Sequence, residues 1–133
     1  MSMPQTMTTP TWMVWTGRVI SALPALALIA SGIGKLTGSA QLVEGFKHLG
    51  WPIEVAFCLG CVEAGCAVIY LIPQTAVLGA ILMTGYLGGA VATHVRIGEY
   101  GMMVPAIVLG ILVWLGLYLR DARVRSLVPI RSL

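Results

Sequence analysis

A chain of 133 residues that is 58% hydrophobic and 10% charged, with mean hydropathy +0.91, lies far from water-soluble domains, which carry about 25% charged residues. It reads as an integral membrane protein. The net charge of +3 does not mark a nucleic-acid surface, because four of the eight basic residues (Arg120, Arg123, Arg125 and Arg131) fall in the last fourteen positions, where they act as a topology signal.

Residues 1–11 are polar and uncharged, with Pro4 and Pro10 and no periodicity, and are expected to form a disordered tail. The first apolar segment covers residues 12–36. Trp12 and Trp15 suit an aromatic belt at its start, and Arg18 can snorkel to the same interface. A signal-peptide reading, based on Arg18 and the Ala25-Leu26-Ala27 cleavage mimic, is weaker: the basic residue comes late and the apolar run continues to Gly34. Pro24 removes a backbone donor and frees the carbonyl of Ile20, so a kink is expected there.

Gly38 and Ser39 break the helix. Residues 40–49 then place Leu42, Phe46 and Leu49 on one face, away from Glu44, Lys47 and His48, as a short interfacial helix does. Gly50-Trp51-Pro52 turns the chain back, and residues 52–72 form a second span. Pro73-Gln74 makes a tight hairpin to a third span at residues 75–95, whose Gly85, Gly89, Ala92 and Arg96 share a face. A turn at residues 98–101 contains Glu99, and the fourth span, residues 102–119, ends near Trp114 and Tyr118. Residues 120–133 are a basic tail.

The expectation is an all-α membrane protein: a four-transmembrane-helix bundle over residues 12–119 with a short interfacial helix between the first two spans. The basic tail places both termini on the cytoplasmic side of a plasma (inner) membrane, which leaves Lys35, Lys47 and Arg96 on the outer face.

Glu63 stands halfway along the second span. A charge there costs about 2.5–3.5 kcal/mol on insertion scales, so it marks a candidate site. Helical spacing puts Gly60 and Ala67 beside it, with Ala56 and Tyr70 a turn further out. Counting rise alone places Glu63 and Tyr86 at midplane depth, near the Pro24 kink, and leaves Lys35 and Arg96 about 15 Å or more above Glu63. With no cation in reach, Glu63 is expected to be protonated and hydrogen-bonded to Tyr86, Thr84 or a carbonyl freed near Pro24. The functional reading is a small polar pocket; the structural one is a carboxyl that locks the bundle. Lys35, His48, Glu54, His94, Arg96 and Glu99 project toward the outer end, either as a head-group site with His94 as proton donor or acceptor, or as interfacial charges and salt bridges.

Cys58 and Cys61 form a CxxC pair, and Cys66 follows on the same segment. They lie inside an apolar helix rather than at a helix N-terminus that would stabilise a thiolate. Apolar filler is the better reading, and no metal-ligand spacing occurs. Neither a phosphate-binding loop nor a hydrolase motif is present.

Taken in order, Gly32-x-x-Lys35-Leu36, Phe46-x-x-Leu49-Gly50-Trp51-Pro52, Gly60-x-x-Glu63, Ala92-x-His94-x-Arg96, Pro105 and Leu119-Arg120 resemble the DoxX-like family of small four-helix membrane proteins, over residues 14–129. Some members are associated with membrane redox systems, including a subunit of a thiosulfate:quinone oxidoreductase. The resemblance implies a redox-associated protein that holds a quinone-like or other apolar small-molecule ligand, with Lys35, Glu63, His94 and Arg96 as the positions to watch and Tyr86 beside Glu63. The alternative is a non-catalytic accessory or assembly subunit whose glycine stripe packs against another membrane protein or a second copy. Membrane lipids are partners on either reading, and no motif names a reaction.

Overall fold

A computed structural model describes residues 8–131. Of the tail expected at residues 1–11, residues 1–7 lie outside the described residues and Thr11 already opens the first helix. Six α-helices follow in order: α1 (Thr11–Leu36), α2 (Ala40–Leu49), α3 (Ala56–Leu71), α4 (Ala76–Arg96), α5 (Val104–Arg120) and α6 (Ala122–Arg125). Short 3-10 turns lead into α3, α4 and α5. With these turns included, four helical segments among the described residues are long and apolar enough to cross a membrane: Thr11–Leu36, Ile53–Leu71, Pro73–Arg96 and Tyr100–Arg120.

The spans pack in the cyclic order α1, α3, α4, α5, each antiparallel to its two neighbours. One end of the bundle holds the start of α1, the α3–α4 hairpin, the close of α5 and α6; we call it the terminal end. The opposite end holds α2. The buried residues repeat at alternating steps of three and four, as the seam of a left-handed bundle requires. On α3 the seam is Ala56, Gly60, Glu63, Ala67 and Tyr70, which is the face the sequence assigns to Glu63. On α4 it is Ala76, Ala80, Met83 and Leu87.

Small residues set the distance between helices. A Cβ placed on Gly32 would lie 2.8 Å from the Gly60 carbonyl, and one on Gly60 would lie 2.7 Å from the Gly32 carbonyl. A similar contact at the terminal end puts a Cβ on Gly17 at 2.7 Å from the Gly116 carbonyl. Backbone therefore meets backbone where α1 crosses α3 and α5. Gly85 and Gly89 behave differently: both are exposed, and a Cβ on either meets nothing within 4 Å. The stripe expected to pack makes no such contact within the chain.

α1 runs as one helix through Pro24, which is fully buried. Beside it, the buried Tyr70 hydroxyl donates to the Val113 carbonyl at 2.7 Å and, its one proton so used, accepts from the Ser21 hydroxyl at 3.0 Å, tying α3 to α5 and α1. Trp114, near the end of the fourth span, joins two helices. Its Nε1 donates to Thr84 Oγ1 at 2.8 Å, joining α5 to α4.

The interfacial helix α2 has the expected bounds. Ser39 caps its start by accepting from the Leu42 N–H at 3.2 Å. It ends in a Schellman motif: Gly50 is left-handed (φ +75°), the Gly50 N–H reaches the Lys47 carbonyl, and the Trp51 N–H reaches the Phe46 carbonyl at 2.9 Å. Phe46 is its buried residue, while Glu44, Lys47 and His48 stay exposed.

Candidate functional site

Glu63 is buried on α3 and is not alone. Its Oε2 accepts from Lys35 Nζ at 2.5 Å and from the Tyr86 hydroxyl at 3.1 Å. This corrects the expectation of a neutral carboxyl with no cation in reach. The Tyr86 partner was anticipated; Lys35 was not. Thr84 is engaged elsewhere, donating to the Ala80 carbonyl at 2.7 Å and accepting from Trp114, and among the described residues the hydrogen-bond partners of Glu63 are Lys35 and Tyr86, not a carbonyl near Pro24.

Two physical facts bring the pair together. First, a Cβ on Gly60 would lie 3.0 Å from Lys35 Cβ, so Lys35 sits level with Gly60, only three residues from Glu63. That is about 4.5 Å of helix rise. Second, helical side chains lean toward the N-terminus of their own helix. α1 and α3 are antiparallel, so Lys35 leans toward the bundle centre and Glu63 leans toward the α2 end. The two side chains converge. Counting rise between helix ends captured neither the offset nor the lean.

The ammonium of Lys35 also donates to Ser31 Oγ at 2.8 Å, one turn back on α1. Lys35 keeps 18% side-chain exposure against 5% for Glu63, so the cluster opens along the Lys35 side. Ser31 was not singled out from sequence, although its four-residue spacing to Lys35 is the signal that could have found it. Among the described residues, Glu63 Oε1 takes no hydrogen bond, and Lys35 uses two of its three N–H donors.

His94 and Arg96 stand in the cluster at the α2 end where the sequence places them; Lys35, expected in that cluster too, pairs with Glu63 instead. Arg96 donates to the Leu49 carbonyl, at the C-terminus of α2, where a cation is favoured by the helix dipole. His48 on α2 pairs with Glu99 in the turn after α4, and His94 Nδ1 stands 3.5 Å from the other Glu99 oxygen without an aligned hydrogen bond. The His48 hydrogen bond holds the Glu99 carboxyl below its ordinary range. These contacts fasten α2 to the α4–α5 turn, in line with the reading of this cluster as interfacial salt bridges.

Cys58 and Cys61 are exposed on the outside of α3 and Cys66 is buried, all as free thiols. Among the described residues no group of His, Cys, Asp or Glu could hold a metal ion.

The fold and the partly buried Lys35–Glu63–Tyr86 cluster together define a four-span helical membrane protein with an ion pair between its helices. A model of the DoxX-like family matches residues 19–116, most of the chain and all three of these positions. The protein belongs to the DoxX-like family. The match is narrower than the residues 14–129 read from the motifs and stops short of Leu119-Arg120. No curated protein and no solved structure matches closely enough to add a ligand or a reaction.

Proposed function

We propose that Lys35, Glu63 and Tyr86 bind the polar head of an apolar ligand of the quinone type, held at the edge of the bundle between α1, α3 and α4. The observation that supports this is the ion pair itself. Two charges removed from water are stabilised less by each other than an apolar pair would be by packing, and ionisable residues at this depth ordinarily serve a ligand or proton path. The chemistry left over suits such a head group. The third N–H of Lys35 can donate to a quinone carbonyl, and Glu63 Oε1 can accept from a quinol hydroxyl. Tyr86, on the same carboxylate, extends the proton path by one hydroxyl. A quinone would supply the redox chemistry; these residues would orient its head and exchange its protons. Arg96 serves this site indirectly, by tying the end of α4 to α2, and His94 stands beside the Glu99 carboxylate that pairs with His48.

The test is extraction and mass spectrometry of small molecules retained by the purified protein, with Lys35→Met and Glu63→Leu as controls. A quinone retained by the parent and lost in both variants is the expected result. Quinone at the same level in parent and variants, or none in any of them, would refute the assignment.

A second reading, an accessory or assembly subunit, draws on the bare face of α4, where Gly85, Gly88 and Gly89 are exposed with open space above them. Cross-linking through Gly89→Cys to a second copy or to a stoichiometric partner would favour it. We further propose that the terminal end, with Arg18, Arg120, Arg123 and Arg125, faces the cytoplasm of a plasma (inner) membrane.

A further inference from the structure

Between Glu63 and the α2 end, the wall of the bundle is incomplete. Lys35 and Leu36, the last residues of α1, are level with Gly60: a Cβ on Gly60 would lie 3.0 Å from Lys35 Cβ and 3.0 Å from Leu36 Cδ2. α1 therefore stops about 4.5 Å beyond Glu63, less than one helical turn. Its neighbours go on. The turn leading into α3 starts at Ile53, about 10 Å past Gly60, and α4 continues from Tyr86 to Arg96, about 15 Å. One corner of the bundle is thus missing next to Lys35.

α2 crosses this gap. It starts at Ala40, just after the left-handed Gly38 (φ +65°) turns the chain away from α1, and its last carbonyl, that of Leu49, takes the guanidinium of Arg96 at the close of α4. α1 and α4 are diagonal corners of the bundle. Helices packed about 8–10 Å apart put diagonal corners about 11–14 Å apart, and a helix of 10 residues is about 15 Å long. α2 therefore reaches across the mouth from corner to corner. Phe46 is its buried residue and lies outside the core cluster that the four spans share. Apart from Phe46, α2 is tied at its end, through Arg96 to Leu49 and Glu99 to His48. A segment with so little buried apolar surface opens more readily than the spans beneath it.

Toward the terminal end Glu63 meets no such gap. Ala25, Ala67, Ala80, Met83 and Val113 have 0% exposure and Leu28 has 2%. Beyond them, the proton of the Tyr70 hydroxyl is committed to the Val113 carbonyl. Toward α2 the inner faces loosen instead: Lys35 on α1, and Tyr86, Ala90 and His94 on α4, are half-buried.

We propose that the Lys35–Glu63–Tyr86 site is entered from the α2 end alone, through the gap left where α1 stops, with α2 as its lid. Protons given up or taken by a bound head group then exchange with water on the α2 side. The inference rests on the head-group reading only for what enters; the route stands on where the helices end.

The test is cysteine accessibility in right-side-out and inverted membrane vesicles holding the full chain, with Cys58, Cys61 and Cys66 replaced by alanine. The probe is a membrane-impermeant, positively charged methanethiosulfonate. Lys47→Cys reports the α2 side and Arg123→Cys the terminal side, since both positions are exposed. Lys35→Cys and Ala90→Cys should react in the vesicles where Lys47→Cys reacts and not where Arg123→Cys does, while Ala80→Cys reacts in neither. Adding Glu99→Gln, which frees His48, should speed the reaction at Ala90→Cys about threefold, as loss of one exposed ion pair allows. If Lys35→Cys fails to fold, Ala90→Cys decides alone. Reaction at any of these three positions from the Arg123 side, no reaction at Ala90→Cys from either side, or a rate unchanged by Glu99→Gln would overturn the proposal. Quinone retention is measured separately, so the route and the identity of the ligand fail independently.

Discussion

Glu63→Gln separates an ion pair from a neutral hydrogen-bonded carboxyl. In the structure the carboxylate is 2.5 Å from Lys35 Nζ, with side-chain exposures of 5% and 18%. Breaking a buried pair from one side costs about 3–5 kcal/mol, because the remaining charge is stranded. Lys35 keeps Ser31 and some exposure, and its long stem can carry the ammonium outward. The cost should therefore fall at the lower end, about 3 kcal/mol. Glu63→Leu should cost about 1–3 kcal/mol more, since it also leaves the Tyr86 hydroxyl unpaired. The combined Lys35→Met and Glu63→Leu variant removes both charges and should recover most of the loss, giving a coupling of about 2–3 kcal/mol. Equilibrium unfolding in mixed micelles, followed by circular dichroism across these proteins and the Lys35→Met single variant that closes the cycle, measures these terms. A Glu63→Gln protein within about 1 kcal/mol of the parent, with no coupling to Lys35, would refute the ion-pair account and restore the neutral carboxyl.

The close approach of α1 and α3 predicts that Gly60→Ala costs about 1–3 kcal/mol, since the new methyl would stand 2.7 Å from the Gly32 carbonyl. Gly89→Ala, with open space above it, should stay within about 0.5 kcal/mol in the same unfolding assay. At the α2 end, Glu99 has its carboxyl lowered by the His48 hydrogen bond. A depressed folded pKa contributes stability that is complete above the unfolded value, about 4.3, and is lost as pH falls through the folded one. Hydrogen exchange of α2, corrected for intrinsic rates, should therefore quicken as pH falls below about 4.3. Glu99→Gln should exchange faster already at neutral pH and show little further acid response. Superposable profiles for the two proteins would show that the His48–Glu99 contact does not hold α2.

The spans, the hairpins and the bounds of α2 were legible because each rests on local signals: long apolar runs, Gly and Pro breaks, and a Ser39 cap with Gly50 at the close. The buried face of α3 was legible too, since Ala56, Gly60, Glu63, Ala67 and Tyr70 follow from helical spacing. What the sequence could not give was the offset between neighbours. Lys35 reaches Glu63 because Gly32 and Gly60 fix where α1 crosses α3, and a span count treats every helix as starting at the membrane surface. The same limit hides the glycines that set helix distances inside the chain, Gly17, Gly32, Gly60 and Gly116. Gly85 and Gly89 have the spacing of a packing stripe, but spacing does not say which face of α4 meets α3 and α5. Arg120 read as the start of a basic tail, whereas its guanidinium lies against Tyr70.

Internal pairing also changes how the basic residues bear on orientation. By sequence alone, Lys35, Lys47 and Arg96 at the α2 end weaken the bias set by the tail. Lys35 is compensated by Glu63, and Arg96 is spent on the Leu49 carbonyl. Of the remaining Lys, Arg, Asp and Glu side chains there, Lys47, Glu44 and Glu54 stay exposed and Glu99 is paired with His48, so that end carries no excess of free positive charge. At the terminal end Arg18 and Arg123 are exposed and Arg120 keeps two unmet donors. Net positive charge thus gathers at the terminal end. That gradient supports the proposed cytoplasmic placement of both termini, because anionic lipids are concentrated in the leaflet on that side and each free Lys or Arg near them is worth about 1 kcal/mol.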